Sequence, residues 1–243
     1  MKSVLEIEDE EDVTIEINAL DAGNYVHDVL ETFNREWIAI GHRSVTDATL
    51  PEAQAVLYDI AVERLDELDA NSTVFHGTWI ESLFDGLDVA GNAHGDPDEA
   101  AGLFRRFLDA EVKLSATRAK PTYFEAHVGI DPDDPESSVI SSDPIQIPGR
   151  SVSLRGKIDR IDVTPDGELV AYDYKTGSTP GTGDSLDGHA FQLPAYLLMA
   201  GQALDGEAVG ASYYQVNPDS SISYWAGTIG AEADASYYPQ RMS

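Results

Sequence analysis

The stretch GKIDRIDVTPDGELVAYDYKTG, residues 156–177, constrains the architecture more than any other part of the chain. Two runs of alternating apolar and polar residues flank Thr164-Pro165-Asp166-Gly167. Pro-Asp-Gly suits a three-residue hairpin loop, in which a type I turn is followed by glycine in the left-handed region. Such a loop pairs Thr164 with Glu168, and counting outward sets Asp159 opposite Asp173. Side chains alternate along a strand, so Lys157, Asp159, Asp173 and Lys175 share one face while Tyr172 and Tyr174 share the other.

Two carboxylates opposite each other across a strand pair have Cβ atoms about 5 Å apart and repel. A divalent cation offsets that repulsion; Mg²⁺ commonly takes one or two carboxylates and fills its remaining positions with water and phosphate oxygens. Lys175, two residues beyond Asp173, brings an ammonium group to the same place. Metal, water and a cation for developing charge are the parts of metal-assisted phosphodiester hydrolysis. The competing reading is a surface hairpin whose acids and lysines pair with one another.

The charge of the whole chain sharpens that choice. Its 243 residues carry 44 acids against 15 Lys plus Arg, a net charge of −29. A hydrophobic content of 42% and clear periodic segments argue against disorder. A basic partner for a negative surface is one reading. The favoured one is adaptation to a salt-saturated cytoplasm, because the acids are spread along the chain rather than gathered in a tail. The remaining bases concentrate between Arg105 and Lys175, which points to an anionic ligand, with pairing to nearby acids expected for the helical arginines. The absence of cysteine excludes disulfides, thiolate zinc sites, iron–sulfur clusters and cysteine nucleophiles within this chain. No segment has the apolar length of a membrane span, and the N-terminal MKSVLEIEDEEDV is too acidic for a secretion signal. A cytoplasmic protein is expected. There is no P-loop pattern and no internal repeat.

Periodicity places the other elements. Residues 13–19 alternate as a strand. Residues 20–40 read as a helix with Val26, Leu30 and Phe33 on one stripe; residues 46–70 as a second, with Thr49 as cap and Pro51 in its first turn; residues 96–117 as a third, burying Leu103, Phe104, Phe107 and Leu108. Strands are expected over 122–130, 143–149, 150–163, 168–177, 210–216 and 221–227, and a helix over 188–204 with Pro194 near its start.

GKIDRID followed by AYDYKTG resembles the GxxD…DxK core of the PD-(D/E)XK nuclease superfamily, especially its RecB/AddB-type exonuclease branch. GNYVHDVLETF is similar to that branch's G-x-x-x-H-x-x-L-E helix, whose histidine is a metal ligand, here His27. PTYFEAHV resembles the strand that carries the family glutamate, here Glu125, and FQLPAYLLMA resembles the Q-x-x-x-Y motif, here Gln192 and Tyr196. The resemblance spans roughly Leu20 to Ala200.

It implies an α/β fold with a central mixed β-sheet flanked by helices. One nuclease domain would cover 1–243, with a mainly helical part (1–120) carrying the histidine motif and a catalytic sheet core (121–243). It implies hydrolysis of DNA with Mg²⁺ or Mn²⁺ in recombination or repair. Asp159, Asp173, Lys175 and Glu125 would form the catalytic set; Asp159 and Asp173, the backbone carbonyl of Tyr174 and the imidazole of His27 would hold the metal, and a nitrogen ligand suits Mn²⁺ somewhat better. Lys175 would orient the attacking water. Gln192 and Tyr196, one helical turn apart, would contact the hairpin or the DNA strand, and Arg155 would contact DNA. Read from the residues alone, a histidine placed as His27 is more often packed or on the surface than a ligand, Glu125 fits an acid paired with an arginine, and Gln192 and Tyr196 fit plain packing. His42, His76, His94, His127 and His189 belong to no motif.

Two departures stand out. Relatives of this branch often carry an iron–sulfur cluster, for which this chain has no cysteine, and are often fused to helicase regions. A compact stand-alone nuclease and the nuclease portion of a machine with a helicase subunit are both compatible with that. The alternative from another class is a catalytically silent module of the same fold that binds nucleic acid or a helicase partner; joint retention of Asp159, Asp173 and Lys175 argues against it.

Overall fold

The hairpin forms with the register that its turn dictates. Thr164 N–H donates to Glu168 O at 2.9 Å and Gly167 N–H to Thr164 O at 3.0 Å. Gly167 sits at φ 85°, a conformation that glycine adopts without cost. Arg160 pairs with Tyr172, Ile161 with Ala171, Asp162 with Val170 and Val163 with Leu169, so the same count carried one step further sets Asp159 across from Asp173.

The structure is a computed structural model that describes residues 19–67, 82–84, 102–117, 119–131, 138–180, 191–216 and 223–230. The expected strand over 13–19 falls outside these except for Ala19, which opens a helix instead. In chain order the elements are α1 (Ala19–Ala39), α2 (Leu50–Glu67), α3 (Leu103–Ser115), β1 (Lys120–Val128), β2 (Val139–Ser141), β3 (Ile145–Gln146), β4 (Ser153–Leu154), β5 (Gly156–Val163), β6 (Leu169–Lys175), α4 (Gln192–Ala203), β7 (Ala208–Gln215) and β8 (Ser223–Gly230).

Six strands form one mixed sheet in the order β2-β1-β5-β6-β7-β8, with β1/β2 and β6/β7 parallel and the other neighbours antiparallel. Strands β3 and β4 pair apart from it. The parallel β6/β7 pair needs a crossover, and α4 supplies it. One sheet face carries Val170, Tyr172, Tyr174 and Tyr214 into a core with the buried stripe of α1 (Val26, Leu30, Phe33), with α2 and with α3. All four residues expected to be buried on α3 are fully buried. On the other face Leu169, Ala171, Ala211 and Tyr213 pack with Leu193, Tyr196 and Met199 of α4. The result is the α/β architecture with a central mixed sheet and flanking helices.

Two local expectations are corrected. Thr49 stands where a cap should, since its carbonyl accepts from Ala53 N–H at 2.9 Å, but its hydroxyl accepts from Thr46 N–H at 3.0 Å. It closes the preceding turn instead of capping the first helical amides. The single strand expected over 150–163 is broken at Arg155, because Ser153 and Leu154 pair with β3 while residues from Gly156 onward pair with β1. Pro194 falls in the first turn of α4, where it has no intrahelical amide bond to lose.

Candidate active site

Three adjacent strands each bring one carboxylate to the same place. Phe124 pairs with Arg160 and Ala126 with Ile158, so Glu125 of β1 lies opposite Asp159 of β5, which in turn lies opposite Asp173 of β6. All three are buried, at 4%, 7% and 1% exposure. The carboxylates are thus not surface groups, although Lys157 and Lys175 pair with Glu125 and Asp173 from the solvent side, as the competing reading expects.

Helix α1 closes the site from one side. The approach is close at Gly23, where a Cβ would meet Thr176 Oγ1 at 3.3 Å, so a larger residue would need that side chain to give by a few tenths of an ångström. One turn later His27 Nε2 lies 2.9 Å from the carbonyl of Tyr174. A carbonyl only accepts, so Nε2 carries the proton and Nδ1 the lone pair. That lone pair faces Asp159 Oδ2 at 3.6 Å. Burial lowers the His27 pKa, against the raising effect of Glu125 and Asp173, so the ring is held in the neutral form that binds metal.

Glu125 has φ 45°, a left-handed conformation that non-glycine residues avoid. Such strain costs on the order of 1–3 kcal/mol and persists only where the surroundings over-determine it. Here it accompanies a carboxylate that pairs with Lys157 and joins the other donors. One atom each from His27, Glu125 and Asp159 lie within 4.8 Å of one another, a mixed nitrogen and oxygen set that suits a divalent cation.

Electrostatics favour the same conclusion. Burial raises the Asp159 carboxyl well above its usual range, with Asp173 and Glu125 adding to the effect and the amide of Tyr174 opposing it. Burial likewise raises Asp173, opposed by Lys175 and Tyr196. Three buried carboxylates and Glu31 face two part-exposed lysines, so the cluster is short of positive charge. A divalent ion would supply it.

The structure distributes the expected site residues in a way that spacing did not reveal. Asp173 stands beside the donor triangle: Lys175 Nζ lies 2.7 Å from Oδ2, which is buried and accepts no hydrogen bond among the described residues, the Gln192 amide donates to Oδ1, and the Tyr196 hydroxyl lies 3.1 Å from Oδ1 and 3.4 Å from Asp159 Oδ1. Gln192 and Tyr196 therefore contact the hairpin rather than an open surface, and Tyr196 is buried. The Tyr174 carbonyl, expected at the metal, here holds the His27 ring. Arg155 is exposed between β4 and β5 and does not line the cavity.

That cavity, of about 510 Å³, lies against His27, Glu125, Lys157 and Lys175 and is rimmed by Asn24 and Ser178. Glu31, the last residue of the histidine motif, to which the sequence reading gave no role, is also on its wall; burial, helped by Glu125, raises its pKa to about 7, and Arg35 pairs with it. Its position four residues after His27, on the same helix face, was the available signal. Among the described residues no helix is long and apolar enough to cross a membrane.

A family model described as the PD-(D/E)XK nuclease superfamily matches residues 1–237 of the chain. A comparison with curated proteins finds no match.

Proposed function

The chain belongs to the PD-(D/E)XK nuclease superfamily, and from that premise we propose that it is a divalent-metal-dependent deoxyribonuclease of the RecB/AddB-type branch. Its task is to trim DNA ends as an exonuclease during recombination or repair, in a salt-rich cytoplasm, with a helicase as working partner and residues 1–243 as one nuclease domain. The observation that carries the reading is the donor triangle of His27, Glu125 and Asp159, two of whose members line a cavity together with Lys175.

Mg²⁺ or Mn²⁺ bound there would supply Lewis-acid polarisation of a phosphoryl oxygen and lower the pKa of water. The chain's own residues do the rest. His27, Glu125 and Asp159 would hold the ion. Lys175, part-exposed on the cavity wall, orients the attacking water and meets the charge that develops on phosphorus oxygens. Gln192 and Tyr196 fix Asp173, which in turn fixes the Lys175 ammonium.

A chain of net charge −29 acting on DNA needs short-range contacts. At about 1 M salt the Debye length is roughly 3 Å, so distant acids hardly repel the substrate, while counterion release contributes little to binding. Affinity then rests on Lys175, Arg155 and the metal-holding groups.

End-labelled single- and double-stranded DNA in molar KCl tests the proposal, with Mg²⁺, Mn²⁺ or EDTA and with wild type or Asp173→Ala. Cleavage by wild type alone, and only with metal, is expected. Equal, metal-independent behaviour of the two proteins would overturn it in favour of the silent module.

A further inference from the structure

One residue links the donor cluster to the interior. Tyr174 donates its backbone N–H to Asp159 Oδ2 at 2.8 Å and accepts at its carbonyl from His27, so both amide groups flanking this residue are engaged with donor residues. Any shift of Tyr174 would move two of the three donors at once. Its ring is buried on the opposite side of β6, 5.2 Å from Tyr214 and 6.5 Å from Phe107.

Beneath that ring lies a charged group that the chemistry of the cavity does not use. Arg160, with no exposed surface, forks onto both oxygens of Asp162 at 2.6 and 2.9 Å. Its Nη1 reaches Glu111 Oε1 of α3 at 2.7 Å and the Tyr174 hydroxyl at 3.4 Å. Tyr214 donates to the same Glu111 oxygen at 2.9 Å, and the Arg160 guanidinium lies 5.3 Å from the centre of the Tyr172 ring. Burying three charges is expensive, and apolar residues of similar size often serve stability as well or better. What the network adds is direction: a bidentate guanidinium has one orientation, and here it fixes α3, β5, β6 and β7 to one another around Tyr174.

We propose that the Glu111–Arg160–Asp162 network is the positioning scaffold of the donor cluster, acting through Tyr174 to set the distance between His27 and Asp159. The proposal rests on the reading of that cluster as a divalent-metal site. Arg160, Asp162 and Glu111 are positioning residues; none is among the three donors. Outer-shell partners of metal ligands commonly govern affinity by roughly 10- to 100-fold, and this scaffold stands behind the residue that orients the imidazole.

The test measures Mn²⁺ binding by the loss of the free-ion electron paramagnetic resonance signal, on the full chain in molar KCl. Glu111→Gln keeps acceptors for Arg160 and Tyr214 but removes the charge; Tyr174→Phe removes only the hydroxyl. Ile145→Ala, buried under α4 away from the network, controls for general destabilisation. The expected result is a Kd about tenfold weaker for Glu111→Gln, a smaller shift in the same direction for Tyr174→Phe, and an unchanged Kd for Ile145→Ala despite its lower Tm. If Glu111→Gln does not fold, Tyr174→Phe against Ile145→Ala decides. Wild-type binding with both network variants unchanged overturns the positioning role alone, whereas failure of wild type to bind Mn²⁺ overturns the metal-site reading and the positioning role with it.

Discussion

Asp159 and Arg160 are consecutive residues of one strand, and they enter two charged clusters that differ in every respect that matters for function. On the Arg160 side the charges are sealed. Burial works against the guanidinium, but Asp162 and Glu111 raise its pKa well above the usual value, and its contacts to those two carboxylates are short and directional. On the Asp159 side three carboxylates crowd together, the two lysines beside them are part-exposed, and the histidine directs a lone pair at a carboxylate oxygen. A polar network that satisfies itself holds a structure in place. One that leaves charge and lone pairs converging on a single point is arranged for something that is not part of the chain.

The largest effect that would test this contrast is on stability. Asp162→Ala strips the fully buried Arg160 of its bidentate partner, and breaking a buried pair in this way typically costs about 3–5 kcal/mol. Denaturant titration at constant salt measures it. A loss as small as that of an exposed pair would show that the sealed network is not sealed.

Asp159→Asn should do the opposite. Cleavage falls by more than about 10²-fold as a donor is lost, yet in EDTA the variant is at least as stable as wild type. The sign follows from the raised pKa. A carboxyl whose folded-state pKa exceeds its unfolded value costs stability increasingly as pH rises from the unfolded pKa to the folded one, and the cost disappears as pH falls below the unfolded one. The variant's advantage in EDTA therefore shrinks on acidification. A variant clearly less stable than wild type at neutral pH would mean that the carboxylates support the fold rather than strain it.

The smallest effect is expected at Tyr196→Phe. Its hydroxyl is one of three groups on Asp173, so loss of one hydrogen bond costs about 0.5–1.5 kcal/mol, seen as a several-fold fall in kcat with little change in KM. An unchanged kcat would make Tyr196 a packing residue of α4 and nothing more.

Much of this was legible before any coordinates. Pro-Asp-Gly fixed the hairpin and so the facing of Asp159 and Asp173, because turn chemistry and strand alternation are local. The stripes Val26-Leu30-Phe33 and Leu103-Phe104-Phe107-Leu108 are local as well, being consequences of helical period. Alternation also showed that Asp159 and Arg160 must point to opposite faces. It did not show which face would be sealed, since that depends on Glu111 of α3 and on Tyr214 of β7, far away in the chain.

The sequence by itself determined which groups are available: a histidine, a set of acids and two lysines at spacings that place them on the right elements. Only the tertiary structure decided how they divide the work. His27 joins Glu125 and Asp159 because α1 packs against the end of β6, where the Tyr174 carbonyl holds its ring, and Asp173 meets Gln192 and Tyr196 because α4 lies over it. The positive φ of Glu125 has no local signature at all. The physical reason is range: register and periodicity come from bonds between near neighbours, whereas the choice of which oxygen meets which donor is made by packing between elements that the sequence keeps far apart.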